Sequence, residues 1–507
     1  MSHTKRKLLG RITALVLVLS WFGVFAQAQM CGEDTINFAR PEDITAGLDT
    51  SNHFNLVNFG LERHFYDYLV ELDPEGNLHP SLATSWETSD DGLTWTFHLR
   101  DDVTFHNGEA FTSASVKATL DRFLSDQAFA QGFLWADLAS VETPDDQTVL
   151  IHTKNAFGPI VSNLTTTPML PAQALAEQGD AFWEQPIGTG PFSFGEWVRG
   201  DRIVLVANEN YWRDGMPAVG CIVYRPILDP STALAAFQSG QVDIVDSVPP
   251  DLVSVYEMVP GTQIVRGLAW DQLYLGIKVD KAPFTDERVR QALNYAIDRR
   301  GIVDNIMDGG RASVGLAPQG ALGFHDGLEV FAYDPERARA LLAEAGVSNV
   351  RIRLIAPEAW YPKIREVTEV IRSNLADVGI ETDLQIMEGG AFIQARGAGD
   401  YDLYLTGGSS IAADPDFLAF QRVNGDVFKS GYVDEETFGL IQQARNTTDR
   451  DQRAALYRDA QQRMYEQAAP FIWLFQMENI YALNDDIGGF VFAPNKIFDL
   501  RTASLQQ

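Results

Sequence analysis

Cysteine is almost missing from this 507-residue sequence, with Cys31 and Cys221 as its two examples. They form no Cys-x-x-Cys pair, which removes the usual dithiol redox motif. Cationic residues are scarce as well: 39 Lys and Arg stand against 69 Asp and Glu, a formal charge of −30. So acidic a chain repels nucleic acid and anionic lipid head groups. Beyond the N-terminus no apolar run approaches the ~20 residues that a membrane span requires. The sequence signatures of catalysis are absent too: no Gly-x-Ser-x-Gly elbow, no His-Glu-x-x-His, no P-loop and no Gly-x-Gly-x-x-Gly. Gly188-Thr189-Gly190 is the nearest glycine-rich piece, and Pro191-Phe192 after it suit a turn into a strand better than a phosphate cradle. There is neither an internal repeat nor a low-complexity linker.

What is present begins with an export signal. Lys5, Arg6, Lys7 and Arg11 form a positive segment, residues 12–25 are an apolar run, and Ala26-Gln27-Ala28 is a small-x-small cleavage site. Cleavage after Ala28 would leave 35 basic against 69 acidic residues, a formal charge of −34, in a soluble exported chain that does not insert into the membrane. In an oxidising compartment Cys31 and Cys221 are expected to pair, with two separate free thiols as the alternative. Met30 and Gln29 ahead of Cys31 argue against its lipidation. Hydrophobic residues make up 45% of the chain, ample for a core, and the length calls for more than one lobe.

Strand-like and helix-like segments alternate throughout, which indicates an α/β protein. Residues 94–99 alternate strongly after the Asp91-Gly92 turn. Thr285 is placed to cap a helix in which Val289, Ala292, Leu293 and Ala296 share one apolar face. Asp334-Pro335 reads as a cap and first position of another helix, ended by Gly346. Residues 350–355, 363–378 and 381–386 form a clear β-α-β unit, and a last helix over 450–467 leads into a strand at 471–475. None of the histidines left after cleavage, His98 and His106 included, has a ligand-spaced partner, so no metal or other cofactor is expected. A secreted hydrolase with its triad dispersed along the chain stays open as an alternative.

Five segments in order then carry a family resemblance. Residues 83–108 (ATSWETSDDGLTWTFHLRDDVTFHNG) are the most specific. They are followed by PIGTGPF from Pro186, NENYW from Asn208, ERVRQALNYAID from Glu287 and YDPERARALLAEAG from Tyr333. Together they resemble the peptide/nickel solute-binding family of ABC importers. The resemblance implies a type II periplasmic-binding-protein fold: two α/β lobes joined by two hinge strands, with an extra β-rich subdomain in the first lobe. The expected division is a signal at 1–28, the first lobe in pieces at 29–70, 186–268 and 474–507, its subdomain at 71–185, and the second lobe at 269–473. Crossings are expected near residues 267–272 and 471–475.

It also implies function: a periplasmic, monomeric, non-enzymatic binding protein that closes on a small polar solute and presents it to the membrane permease. A ligand-dependent chemoreceptor adaptor is possible on the same fold. In dipeptide-binding relatives the Asp of an Asp-Pro loop pairs with the ligand's amino group, which points to Asp414. Trp270, Asp271 and Tyr274 fall at the hinge crossing, Phe54 and Asn55 in the loop after the first strand, and Trp135 where nickel-binding relatives have a cleft tryptophan. Ser409 and Ser410 precede the Asp-Pro loop, while Asp246 ends a strand at the cleft edge and Asn495 lies in the returning tail. Two departures stand out. The loop over 356–362 lacks the Arg that grips a dipeptide carboxylate, leaving Trp360 to stack and Lys363 as its nearest cation. No His follows His325, unlike nickel-binding members.

Overall fold

The computed structural model describes residues 31–424, 426–468 and 470–506; the expected export signal lies outside them. A mixed eleven-stranded sheet runs through the molecule in the order Ile380–Met387, Val350–Pro357, Leu403–Ser409, Thr262–Ile277, Phe471–Asn484, Ile244–Val245, Thr35–Arg40, Cys221–Pro226, Arg202–Ala207, Phe192–Val198, with Arg311–Ala312 added on Phe471–Asn484. The two long central strands belong to both lobes. Their outer pairs, Thr262↔Asn484 to Leu268↔Glu478, lie in the first lobe, and Gln272↔Gln476 to Gly276↔Phe471 lie in the second. The register breaks between these sets. The crossing on the second strand is therefore at Gln476–Glu478 rather than at 471–475, because Ile472, Leu474 and Phe475 are still buried in the second lobe's core with Leu273 and Leu275.

The second lobe shows the expected β-α-β unit: Val350–Pro357 and Ile380–Met387 are parallel neighbours connected by the helix Ile364–Asp377. That helix buries Ile364, Val367, Ile371 and Leu375, the stripe that i, i+3, i+4 spacing predicts. The helix Glu287–Ala296 forms as expected, but Asp286 and not Thr285 caps it, its carboxylate accepting from the Arg288 amide. Asp334 caps Pro335–Glu344 through the Arg337 amide, and Gly346 takes the positive φ that ends it. A separate four-stranded antiparallel sheet, Ala83–Thr88, Thr94–Leu99, Thr148–Thr153, Leu138–Asp145, has its own core around Trp95, Phe97 and Phe123, and forms the β-rich subdomain.

The first and last described segments both belong to the first lobe. Thr35–Arg40 pairs in parallel with Cys221–Pro226, and the Cys31–Cys221 disulfide ties the segment ahead of the first strand to the second across 190 residues. At the other end Phe498 packs on Phe38 and the Leu500 amide donates to His64 Nε2. Arg501 pairs with Glu71, which Arg213 also contacts at 2.7 Å.

Two outcomes follow. A C31S/C221S variant opens a long loop and is expected to lose ~2–5 kcal/mol of stability in urea melts, whereas reductant should destabilise the wild type alone. Burial alone would push Glu71 up, but Arg501 and Arg213 outweigh it and hold it down to about 2 from an ordinary 4.5. Its contribution is thus complete above the ordinary value and is lost as pH falls toward the folded one. The melting temperature should drop between those pH values, and less steeply in Glu71→Gln.

Candidate functional site

The hinge supplies the first wall of the site. Between Leu268 and Gln272 the strand carries more residues than its partner, so Ala269, Trp270 and Asp271 bulge from the ladder. Their backbone groups find other partners. The Trp270 amide donates to Pro494 O at 2.6 Å, Trp270 O accepts from the Ser410 amide at 2.9 Å, and Gln476 Nε2 donates to Ala269 O at 2.8 Å. The bulge thereby joins the C-terminal tail to the loop after Leu403–Ser409. Asp271 binds Lys496 Nζ at 2.9 Å, and Asn495 Nδ2 donates to Ile411 O at 3.1 Å.

The Asp-Pro loop supplies the second wall. Asp414 is buried, and both its oxygens meet Arg453, at 2.7 and 3.0 Å. Ser162 of the first lobe donates to Asp414 Oδ2 at 2.9 Å, so one carboxylate bridges the lobes. Burial pushes Asp414 up, yet the Arg453 guanidinium and these hydrogen bonds hold it below its ordinary value. Asp416 lies beside it, bonded to Arg445 and to Tyr457 Oη at 3.0 Å. There burial prevails and the carboxyl is raised, Asp414 adding to the effect. Arg445 also reaches Asp137 of the subdomain at 3.2 Å.

Aromatic rings and further polar contacts complete the closure. Phe417, just past the Asp-Pro loop, lies 5.1 Å from Phe54 and 4.9 Å from Phe133, both from the first lobe. Arg450 donates to Gly76 O at 2.7 Å. Lys363 pairs with Asp251 at 3.3 Å. The two lobes thus meet through a bulged hinge, a charged loop and an aromatic cluster, at the kind of domain interface where solutes are commonly enclosed.

The model for bacterial extracellular solute-binding proteins, family 5, middle region, matches residues 77–427. The chain belongs to that family. A glutathione-binding protein GsiB of Escherichia coli O1:K1 is 29% identical over 475 residues, covering 90% of this chain and 92% of its own. The structure of AgaA from A. tumefaciens R10, in complex with agropinic acid, is similar with a TM-score of 0.78 and 28% identity, over 93% of this chain and 99% of that one. HbpA2 from Haemophilus parasuis is similar with a TM-score of 0.82 and 25% identity, over 93% and 100%. Family members are solute-binding proteins, and the two-lobed fold is theirs.

Among the residues singled out from sequence, Phe54, Trp270, Asp271, Ser409, Ser410, Asp414 and Asn495 come together where the lobes meet. Ser409 and Ser410 each carry a buried Oγ with no partner among the described residues. Tyr274 lies behind them, fully buried against Phe471 and Trp473, with its hydroxyl on Arg422. Asn55 caps the helix Leu56–Phe65 by accepting from the Asn58 amide. Trp135 packs on Phe123 inside the subdomain core. Asp246 is buried in an ion pair with Arg40 at 2.8 Å. Trp360 is 41% exposed and stands apart, edge-on to Phe392. Sequence reasoning missed Arg453, Arg445 and Asp416. Arg453 and Arg445 sit on helices with a general polar pattern, and nothing in their spacing reveals which carboxylate they reach. The second Asp of Asp414-Pro415-Asp416 was a visible signal.

Asp414→Ala would leave Arg453 buried and unpaired. That change is expected to cost ~3–5 kcal/mol in a chemical melt of the ligand-free protein. A loss of only a few tenths of that would show that the pair is solvated in solution.

Proposed function

We propose that this chain is the exported, solute-capturing subunit of an ABC importer, and that it delivers a short peptide or peptide-like amino-acid conjugate to the membrane permease. The observation that carries this reading is the bridge of Ser162 and Asp414 across the lobes, set beside the Phe54–Phe133–Phe417 contact. Such contacts exist only when the lobes are shut, so a ligand touching both walls favours that state. The ligand would lie between Phe54, the Trp270–Asp271 bulge, the unpartnered hydroxyls of Ser409 and Ser410, and Asp414. An amino group at Asp414 would share that carboxylate with Arg453. The relatives named for glutathione binding make this peptide the first solute to try.

Glutathione at a hundredfold excess over its dissociation constant should stabilise the protein by ~2.7 kcal/mol, visible as a raised melting temperature. Small-angle scattering should show a smaller radius of gyration with ligand than without. Superimposable profiles and unchanged melting across glutathione and a panel of di- and tripeptides would overturn the proposal, as would recovery of a chemically altered solute.

A further inference from the structure

Two guanidinium groups of the second lobe have no counter-ion among the described residues. Arg396 comes from the helix Gly389–Ala398 and Arg422 from the π-helical segment Phe417–Asn424. Both lie over the ring of Phe428, with Cζ at 3.9 and 5.4 Å from its centroid. Among the described residues no carboxylate forms an ion pair with either, in a chain with 69 acidic residues to 39 basic ones. Tyrosines surround them instead: the Tyr274 hydroxyl bonds Arg422, and Tyr361 Oη contacts Thr406 Oγ1, the acceptor of Arg396 Nη1 at 3.4 Å.

Their hydrogen-bonding capacity is largely unused. Arg396 Nε is buried without a partner. Arg422 engages through Nη1, to Tyr274 and to Gly407 O at 3.1 Å. Arg299 shows the contrast. It is also buried without a carboxylate, but each of its three nitrogens donates a hydrogen bond, to Trp473 O, Asn294 O and Asn294 Oδ1. Burial and the nearby Arg422 charge lower Arg396. Holding two such cations together half-buried is unfavourable for the empty protein.

Position completes the case. Arg422 Cζ is 6.0 Å from the ring of Phe417, the residue that meets Phe54 and Phe133 of the opposite lobe. Gly407 and Gly408 make the close approach possible. A Cβ at Gly407 would fall 2.7 Å from the Tyr361 ring, and one at Gly408 would fall 2.9 Å from Arg422 Nη1. The two arginines meet the strand Leu403–Ser409 along its later half, at Thr406, Gly407 and Gly408, beside the loop that leads to Asp414.

We infer that Arg396 and Arg422 form an anion subsite that takes a carboxylate of the captured solute, making the ligand an acidic peptide or conjugate. Guanidinium groups bind planar carboxylates through paired, charge-assisted hydrogen bonds. The inference rests on the solute-capture reading above, and the test separates the two. Calorimetry would compare glutathione, Glu-Glu and Ala-Ala as free acids and with every carboxyl amidated, on wild type, R396Q, R422Q, R396Q/R422Q, R396K and R422K. For the acids that bind the wild type, affinity should fall at least 100-fold in the double Gln variant. Any amide affinity should change less than threefold, and the Lys variants should lie between wild type and Gln. If the double variant does not fold, the wild-type acid-to-amide ratio and the single variants decide. Amides binding the wild type as tightly as acids, or unchanged acid affinity in the Gln variants, would overturn the subsite and leave solute capture standing. No binding of any panel member would overturn both.

Discussion

The pairing of Thr262–Ile277 with Phe471–Asn484 is the constraint on which the molecule depends. These two strands are the spine of both lobes, and the lobes' remaining strands attach to one side or the other. A continuous ladder would hold the lobes as one rigid slab. The break in register at Ala269–Asp271 removes the ladder bonds just where the lobes meet, and the freed backbone groups turn to Pro494 and Ser410. The bulge therefore makes a joint and at the same time presents Trp270 and Asp271 at the cleft.

Charge in the cleft is distributed unevenly. Asp414 and Asp416, the visible acids of the Asp-Pro loop, are each matched by an arginine from a following helix. Those pairs order the loop, and through Ser162 and Asp137 they also join the lobes. On the neighbouring face Arg396 and Arg422 have aromatic rings for company instead of carboxylates. An acidic protein thus carries paired acids on one element and, among the described residues, arginines without a carboxylate partner on another.

Much of the fold was legible because its signals are local. Alternation marked Thr94–Leu99, apolar spacing marked Ile364–Asp377, and Asp334-Pro335 marked a helix start. The cap at Asp286 was missed by one residue, since Thr285 and Asp286 are both good caps and only the turn geometry selects between them. The length of Phe471–Asn484 was not legible, because its two halves lie in different lobes and carry no shared pattern. Of the site, the Asp-Pro loop and the Ser409-Ser410 pair ahead of it could be seen in sequence. Which arginine meets which acid could not, because those partners are separated by 29 to 308 residues and chosen by tertiary packing. Trp135 illustrates the same limit: a tryptophan in a short motif reads alike whether it lines a cleft or, as here, stacks on Phe123 in a core.

The closing segment of the chain carries one more consequence. Pro494, Asn495 and Lys496 hold the hinge bulge and the loop beside it, while Phe498, Leu500 and Arg501 fill the first lobe. The second lobe's elements are consecutive in sequence, so that half can assemble as soon as its own stretch has emerged. The first lobe, which includes Thr35–Arg40, also needs Phe498, Leu500 and Arg501 before its core is sealed. The order of assembly is therefore inside-out along the chain, and trimming a handful of C-terminal residues would leave the earliest-made half as the unfinished one.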